Sequence, residues 1–117
     1  MNQSVVSSRF PYLPIHLAVG QRSEALEALL DTGFDGDVAV PADPVSTGHP
    51  PSGYSRWILA DGSTVFAPLF RGTIHVGPLG PFDALITALG DEPIVGRGVT
   101  DRFKVTLDHG QQVIVDP

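Results

Sequence analysis

Glu27-Ala28-Leu29-Leu30-Asp31-Thr32-Gly33-Phe34-Asp35 is the stretch on which the fold turns. An acidic residue directly after an apolar run is costly to bury unless something uses or compensates it. The two residues that follow suggest how it is held. Thr32 brings a hydroxyl, and Gly33 lets the backbone turn sharply with no side chain in the way. The Asp-Thr-Gly triplet occurs once in the 117 residues. The chemistry it suggests needs two carboxylates, so the single copy matters as much as the motif. Local propensity conflicts with this reading: Glu24 to Leu30 are good helix formers, and Leu26, Leu29 and Leu30 fit helical spacing.

Composition narrows the alternatives. A chain of 117 residues is one domain and buries roughly two-thirds of its unfolded surface, enough for a core. There is no Cys, which excludes thiol catalysis, zinc-thiolate sites and disulfides. Net charge is -6, and Lys104 is the sole lysine, so neither nucleic acid nor a membrane surface is expected as a partner. No apolar run approaches the roughly 18 residues of a membrane span, and residues 1–9 do not read as a signal peptide, so the expected location is cytoplasmic. Gly (13) and Pro (11) are frequent, which favours many short elements.

Outward from the motif, the pattern is one of strands. Residues 1–9 read as a loose arm, and 10–117 as the folded domain. Phe10 to Val19 alternates as a half-buried strand, with Gln21-Arg22 as the turn after it. Val38 to Val40 is a short strand ended by Pro41, and 41–53 a turn-rich surface loop. Tyr54 to Ala60 runs into Asp61-Gly62, a dipeptide favoured in two-residue hairpin turns, and the chain returns from Ser63. On that return Phe66, Phe70, Ile74 and Val76 are expected on one face. Gly77 to Pro81 reads as a turn, Phe82 to Ala88 as a strand, Pro93 to Gly96 as a short apolar piece and Val99 to Phe103 as the one helix. Lys104 to Asp108 and Gln111 to Val115 make a second hairpin, with Val105, Leu107, Val113 and Val115 inward. Many short strands at this spacing indicate an all-β sandwich or closed barrel.

Residues 27–35 resemble the active-site strand and loop of retropepsin-like (retroviral-type) aspartic proteases: two apolar residues, Asp-Thr-Gly, a small or apolar residue, then Asp. Pro93-Ile94-Val95-Gly96-Arg97 resembles the apolar-apolar-Gly-Arg segment before that fold's single helix. The hairpin tipped by Asp61-Gly62 falls where the family keeps its flap. Phe103 to Asp108 matches the Phe-x-Val-x-Leu-Asp ending of its short stand-alone prokaryotic members. The likeness spans about residues 10–115 and implies a closed barrel with a flap hairpin and one short C-terminal helix. It makes Ser23 to Asp31 a strand against its helical propensity.

The resemblance also implies an aspartic endopeptidase that assembles as a homodimer. Each chain supplies one Asp31, and a peptide or protein is the substrate. Thr32 and Gly33 hold the active-site loop. Phe34, Asp35, Gly36, Ile58, Leu59, Ala60, Asp61, Gly62, Ile94 and Val95 are the expected substrate contacts. Arg97 is expected to pair with Asp35 as structural support. Phe34 departs from the family, where this position is small; it narrows the cleft or lines a pocket. Trp57 is flap-base packing or a further substrate contact.

Other chemistries fit less well. Asp31 to Ala42 imitates a calcium loop but has Gly33 at its third position and Ala42 where a bidentate Glu is needed. His16, His49, His75 and His109 lack metal-ligand spacing, and Gly96-Arg97-Gly98 lacks the third Gly of a dinucleotide loop. No metal or cofactor is expected. Two rivals stay open at this point: a non-catalytic peptide- or protein-binding module on the same barrel, and a metal-dependent hydrolase using Asp31, Asp35 and Asp37.

Overall fold

The computed structural model describes residues 3–42 and 50–117, and among these the regular structure is almost entirely strand. In chain order these are β1 (Val5–Ser7), β2 (Tyr12–Val19), β3 (Arg22–Leu30), β4 (Val38–Val40), β5 (Gly53–Ile58), β6 (Thr64–Val76), β7 (Leu79–Ala88) and β8 (Ile94–Val95). A single turn of helix, α1 (Arg97–Thr100), precedes β9 (Lys104–Asp108) and β10 (Gln112–Asp116). The strand order β2-β3-β8-β4-β7-β6 closes on itself through β2–β6 pairing, giving a closed all-β barrel. β5 extends this sheet from β6, and β1-β10-β9 form a separate three-stranded sheet.

β3 shows why tertiary pairing overrides propensity here. Its whole length runs antiparallel to β2, from Val19↔Arg22 to Tyr12↔Leu29. As a strand it turns Leu26, Ala28 and Leu30 toward the core, with Ala28 fully buried, and leaves Leu29 for the opposite side. A helix would join Leu26, Leu29 and Leu30 on one face and break that division. Phe70, Leu13, Ile74 and Ile86 are the largest side chains sealed in the core. Each contributes about 1.5–3 kcal/mol by leaving water.

Prolines mark where strands lack a second neighbour. Pro14 pairs with Glu27 of β3 but precedes the Ile15–Ala18 stretch that also pairs with β6. Pro68 faces Tyr54 of β5, one residue before β6 gains β7 at Leu69. The first part of β6 therefore belongs to a two-stranded ribbon standing out from the barrel. This corrects the expected face of β6: Phe70, Ile74 and Val76 are buried, whereas Phe66 is 67% exposed because its part of the ribbon has no core beneath it.

Other expectations shift at their edges. Residues 5–7 are not loose, because β1 pairs with β10 over Val5↔Val115 to Ser7↔Val113 and buries Val5. Gly20, with φ 58°, and Gln21 make the first turn, so Arg22 already belongs to β3. β7 begins at Leu79, inside the expected Gly77–Pro81 turn. The helix starts two residues early, at Arg97, because Gly96 in an extended conformation stands at its N-cap. The backbone N–H groups of Arg102 and Phe103 then close short turns onto Val99 and Thr100. Val113 and Val115 are fully buried, but Leu107 on the sheet-edge strand β9 is 55% exposed. Part of the expected 41–53 loop, with His49, lies outside the described residues.

Candidate active site

The carboxylate of Asp31 sits where β3 ends. Its backbone N–H donates to the carbonyl of Val95 (3.0 Å), which continues the parallel β3–β8 pairing by one step. Its own carbonyl accepts from Phe34 N–H (3.1 Å), so the chain turns back at once. Oδ1 accepts from Gly33 N–H at 2.9 Å. A Cβ at position 33 would stand 3.2 Å from that oxygen, so glycine keeps the loop close to the acid. The result is a half-buried carboxylate on a short, closed loop.

That loop is braced by backbone rather than by charge. Gly96 N–H donates to Asp37 O (2.9 Å), Arg97 N–H to Phe34 O (2.8 Å) and Gly98 N–H to Gly36 O (3.1 Å). Such an approach requires glycine at two places. A Cβ on Gly96 would lie 2.3 Å from Gly36 O, and one on Gly98 would lie 1.8 Å from Asp37 Oδ1. The Arg97 side chain contributes less than the sequence suggests. Its guanidinium is 3.9 Å from Asp35 and 3.5 Å from Asp101, and all three side chains are more than half exposed. The expected Arg97–Asp35 pair is a loose, solvated arrangement shared between two carboxylates.

Asp31 opens into a cleft of about 830 Å³. Gly33, Phe34 and Asp35 line it from the loop, Ile94 from β8, and Ile58, Leu59 and Ala60 from the ribbon. Of the other expected contacts, Val95 is fully buried in the core and serves through its carbonyl. Gly36 lies under the Phe34 ring, with its Cβ direction meeting Cζ at 2.5 Å. Asp61 and Gly62 form the ribbon tip and are exposed. Thr32 faces away from the cleft into a neighbouring apolar groove of about 560 Å³ with Phe10, Leu30, Phe103, Val105 and Leu107. The Asp-Thr-Gly loop thus separates a cleft from a groove.

The tip is built differently from a two-residue turn. Gly62 N–H donates to Leu59 O (2.9 Å) and Leu59 N–H to Ser63 O (2.8 Å), with Gly62 at φ 86°. This is a turn centred on Ala60-Asp61 followed by a left-handed glycine. Asp61 Oδ1 accepts from Ser63 Oγ (2.6 Å) and Ser63 N–H (2.9 Å). These two donors hold the Asp61 carboxyl below its ordinary range.

Sequence reading missed the opposite rim. The segment Leu89 to Glu92 lines the cleft, as does Arg56 from the ribbon, so three further carboxylates, Asp35, Asp91 and Glu92, and one arginine share its lining with Asp31. Tyr12 OH donates to Glu92 Oε1 (3.0 Å), which ties this rim to β2 and raises the phenol above its usual value. Its adjacency to Ile94 was the only available signal. Asp37 accepts from Leu85 N–H (2.8 Å) and lines a separate recess with Arg71 and Asp83. Asp31, Asp35 and Asp37 therefore do not converge as the metal-hydrolase rival requires. Among the described residues no group of three or more His, Asp or Glu is placed to hold a metal. No helix among them is long and apolar enough to cross a membrane.

A closed barrel, a projecting hairpin and an Asp-Thr-Gly loop braced by a glycine-rich turn define the fold of the retropepsin-like aspartic proteases. Solved structures agree. A retropepsin-like aspartic protease from Rickettsia conorii superposes with a TM-score of 0.61 at 15% identity, over 99% of this chain and 92% of its own. The simian foamy virus (mac) protease superposes with a TM-score of 0.52 at 16% identity, over 75% of this chain and 91% of its own. Neither a protein-family model nor a curated protein sequence matches the chain.

Proposed function

We propose that the protein is an aspartic endopeptidase whose active site is completed by a second copy of the chain. The observation that carries this is the half-buried Asp31 carboxylate, fixed by Gly33 and opening into a cleft bounded by the β5–β6 ribbon. One carboxylate is half of an acid pair. Asp31 faces the cleft while Thr32, the next residue, faces the apolar groove with exposed Leu107. A second copy seated over that groove brings its own loop beside this one.

Two carboxylates about 3 Å apart do not both ionise readily and share one proton. The ionised member takes a proton from a water as that water attacks the scissile carbonyl. The protonated member donates to the carbonyl oxygen. The titration belongs to the pair. Proton transfer of this kind supplies about 10²–10⁴-fold, and alignment of water and peptide supplies much of the rest. An extended substrate lies along the cleft beneath the ribbon, which acts as the flap.

The test is incubation with a denatured protein at mildly acid pH, with and without a peptidomimetic aspartic-protease inhibitor. Inhibitor-sensitive cleavage with a bell-shaped pH profile is expected. Asp31→Asn abolishes it while leaving circular dichroism and assembly unchanged. Binding without cleavage would instead favour a peptide-binding module on the same barrel.

A further inference from the structure

We propose that Phe34 and Trp57 together fill one apolar compartment of the cleft beside Asp31. The substrate side chain facing them is thereby restricted to the size of glycine, alanine or serine. The inference rests on the peptide-cleft reading above and names the kind of peptide that cleft accepts.

Both rings line the Asp31 cleft, one from the active-site loop and one from the ribbon, and their centroids are 5.1 Å apart at 45°. Phe34 has nowhere to retreat. Its ring occupies the space left by two glycines: a Cβ on Gly36 would lie 2.5 Å from its Cζ, and one on Gly96 2.5 Å from its Cδ2. Both backbone polar groups of Phe34 are also committed, its N–H to Asp31 O and its carbonyl to Arg97 N–H. Phe34 as a residue is 8% exposed, and its ring is a fixed part of the wall.

Trp57 is the softer side. It is anchored by pairing with Val65 across the ribbon, but its indole N–H is buried without an acceptor. A donor in that state costs free energy that the ring contact has to offset. A long substrate side chain entering here must push the indole away from Phe34, whereas a small one leaves the pair in contact. Selection by exclusion follows, since discrimination can come from a clash with the wrong ligand.

The chain contains one tryptophan, so its fluorescence reports on this contact alone. The experiment uses the full chain carrying Asp31→Asn and fluorescein-labelled octapeptides, identical except for Gly, Ala, Leu or Phe at each position in turn. Fluorescence anisotropy is expected to reveal one position where the small residues bind about tenfold or more tighter than the bulky ones. Adding Phe34→Ala is expected to erase or reverse that ratio and to shift Trp57 emission to the red as the indole meets water. Should Phe34→Ala not fold, Trp57→Val opens the compartment from the ribbon and must relax the same position. Equal loss of affinity for small and bulky peptides in these variants overturns the proposal. So does the absence of any size-selective position, or of any peptide binding, in the Asp31→Asn chain. Size-selective binding by a chain whose Asp31 form never cleaves overturns the protease reading and leaves this one standing. Asp31-dependent cleavage without size selectivity does the opposite.

Discussion

Gly98 and Arg97 are neighbours, and they divide the work at the Asp-Thr-Gly loop unequally. The arginine was conspicuous in the sequence because charge advertises a partner. The glycine was not, because its role depends on Asp37, 61 residues earlier in the chain, lying against it. A methyl group at position 98 would stand 1.8 Å from Asp37 Oδ1, so Gly98→Ala must displace either the loop or the carboxylate that accepts from Leu85. It is expected to destabilise by about 1–3 kcal/mol or more in urea unfolding. Arg97→Ala, which removes only exposed pairs, is expected to change stability by less than about 1 kcal/mol in the same measurement. The reverse order would refute the backbone brace. The turn at Asp31-Thr32-Gly33 was legible because its motif is contiguous. Val95 was not, since only its position in the core shows that its carbonyl matters and its side chain does not.

Among the elements, β3 and the flap hairpin taught different lessons. β3 was readable only against its own propensity, because the pairing with β2 that decides it lies outside the segment. The hairpin was readable from Asp61-Gly62, but its turn geometry was not, since Ser63 supplies two hydrogen bonds that reshape the tip. Those bonds make a prediction with a definite sign. The folded Asp61 carboxyl is held below its unfolded value, so its contribution to the tip is fully present above the ordinary carboxylate range. It is lost as pH falls through the lowered folded value. Carboxyl titration by NMR is expected to place Asp61 below the ordinary aspartate range, with the Ser63 amide losing its exchange protection once Asp61 is protonated. Asp61→Ala should leave the Ser63 amide unprotected at every pH. An Asp61 that titrates within the ordinary carboxylate range would contradict the arrangement.

At the scale of the whole molecule, strand spacing left sandwich and closed barrel open and the family resemblance pointed to closure, while the groove beside Thr32 was not legible. Leu107 reads as an inward residue by alternation, yet β9 is an edge strand and leaves it 55% exposed. On the reading proposed here that exposure is relieved by a second copy of the chain. Specific activity should therefore fall on dilution, following the dimer fraction measured by sedimentation. Leu107→Asp should give a folded monomer without cleavage activity. Full activity from that monomer would remove the need for a partner.

β6 carries a mechanical consequence. Its 13 residues run without interruption from the flap into the barrel wall, and its partners change at Pro68 and Leu69. Beyond that point it is gripped by β7 and then by β2 as well. The ribbon is thus a cantilever clamped at one end, and on the reading proposed above its swing as a flap bends β5 and β6 together near that mount.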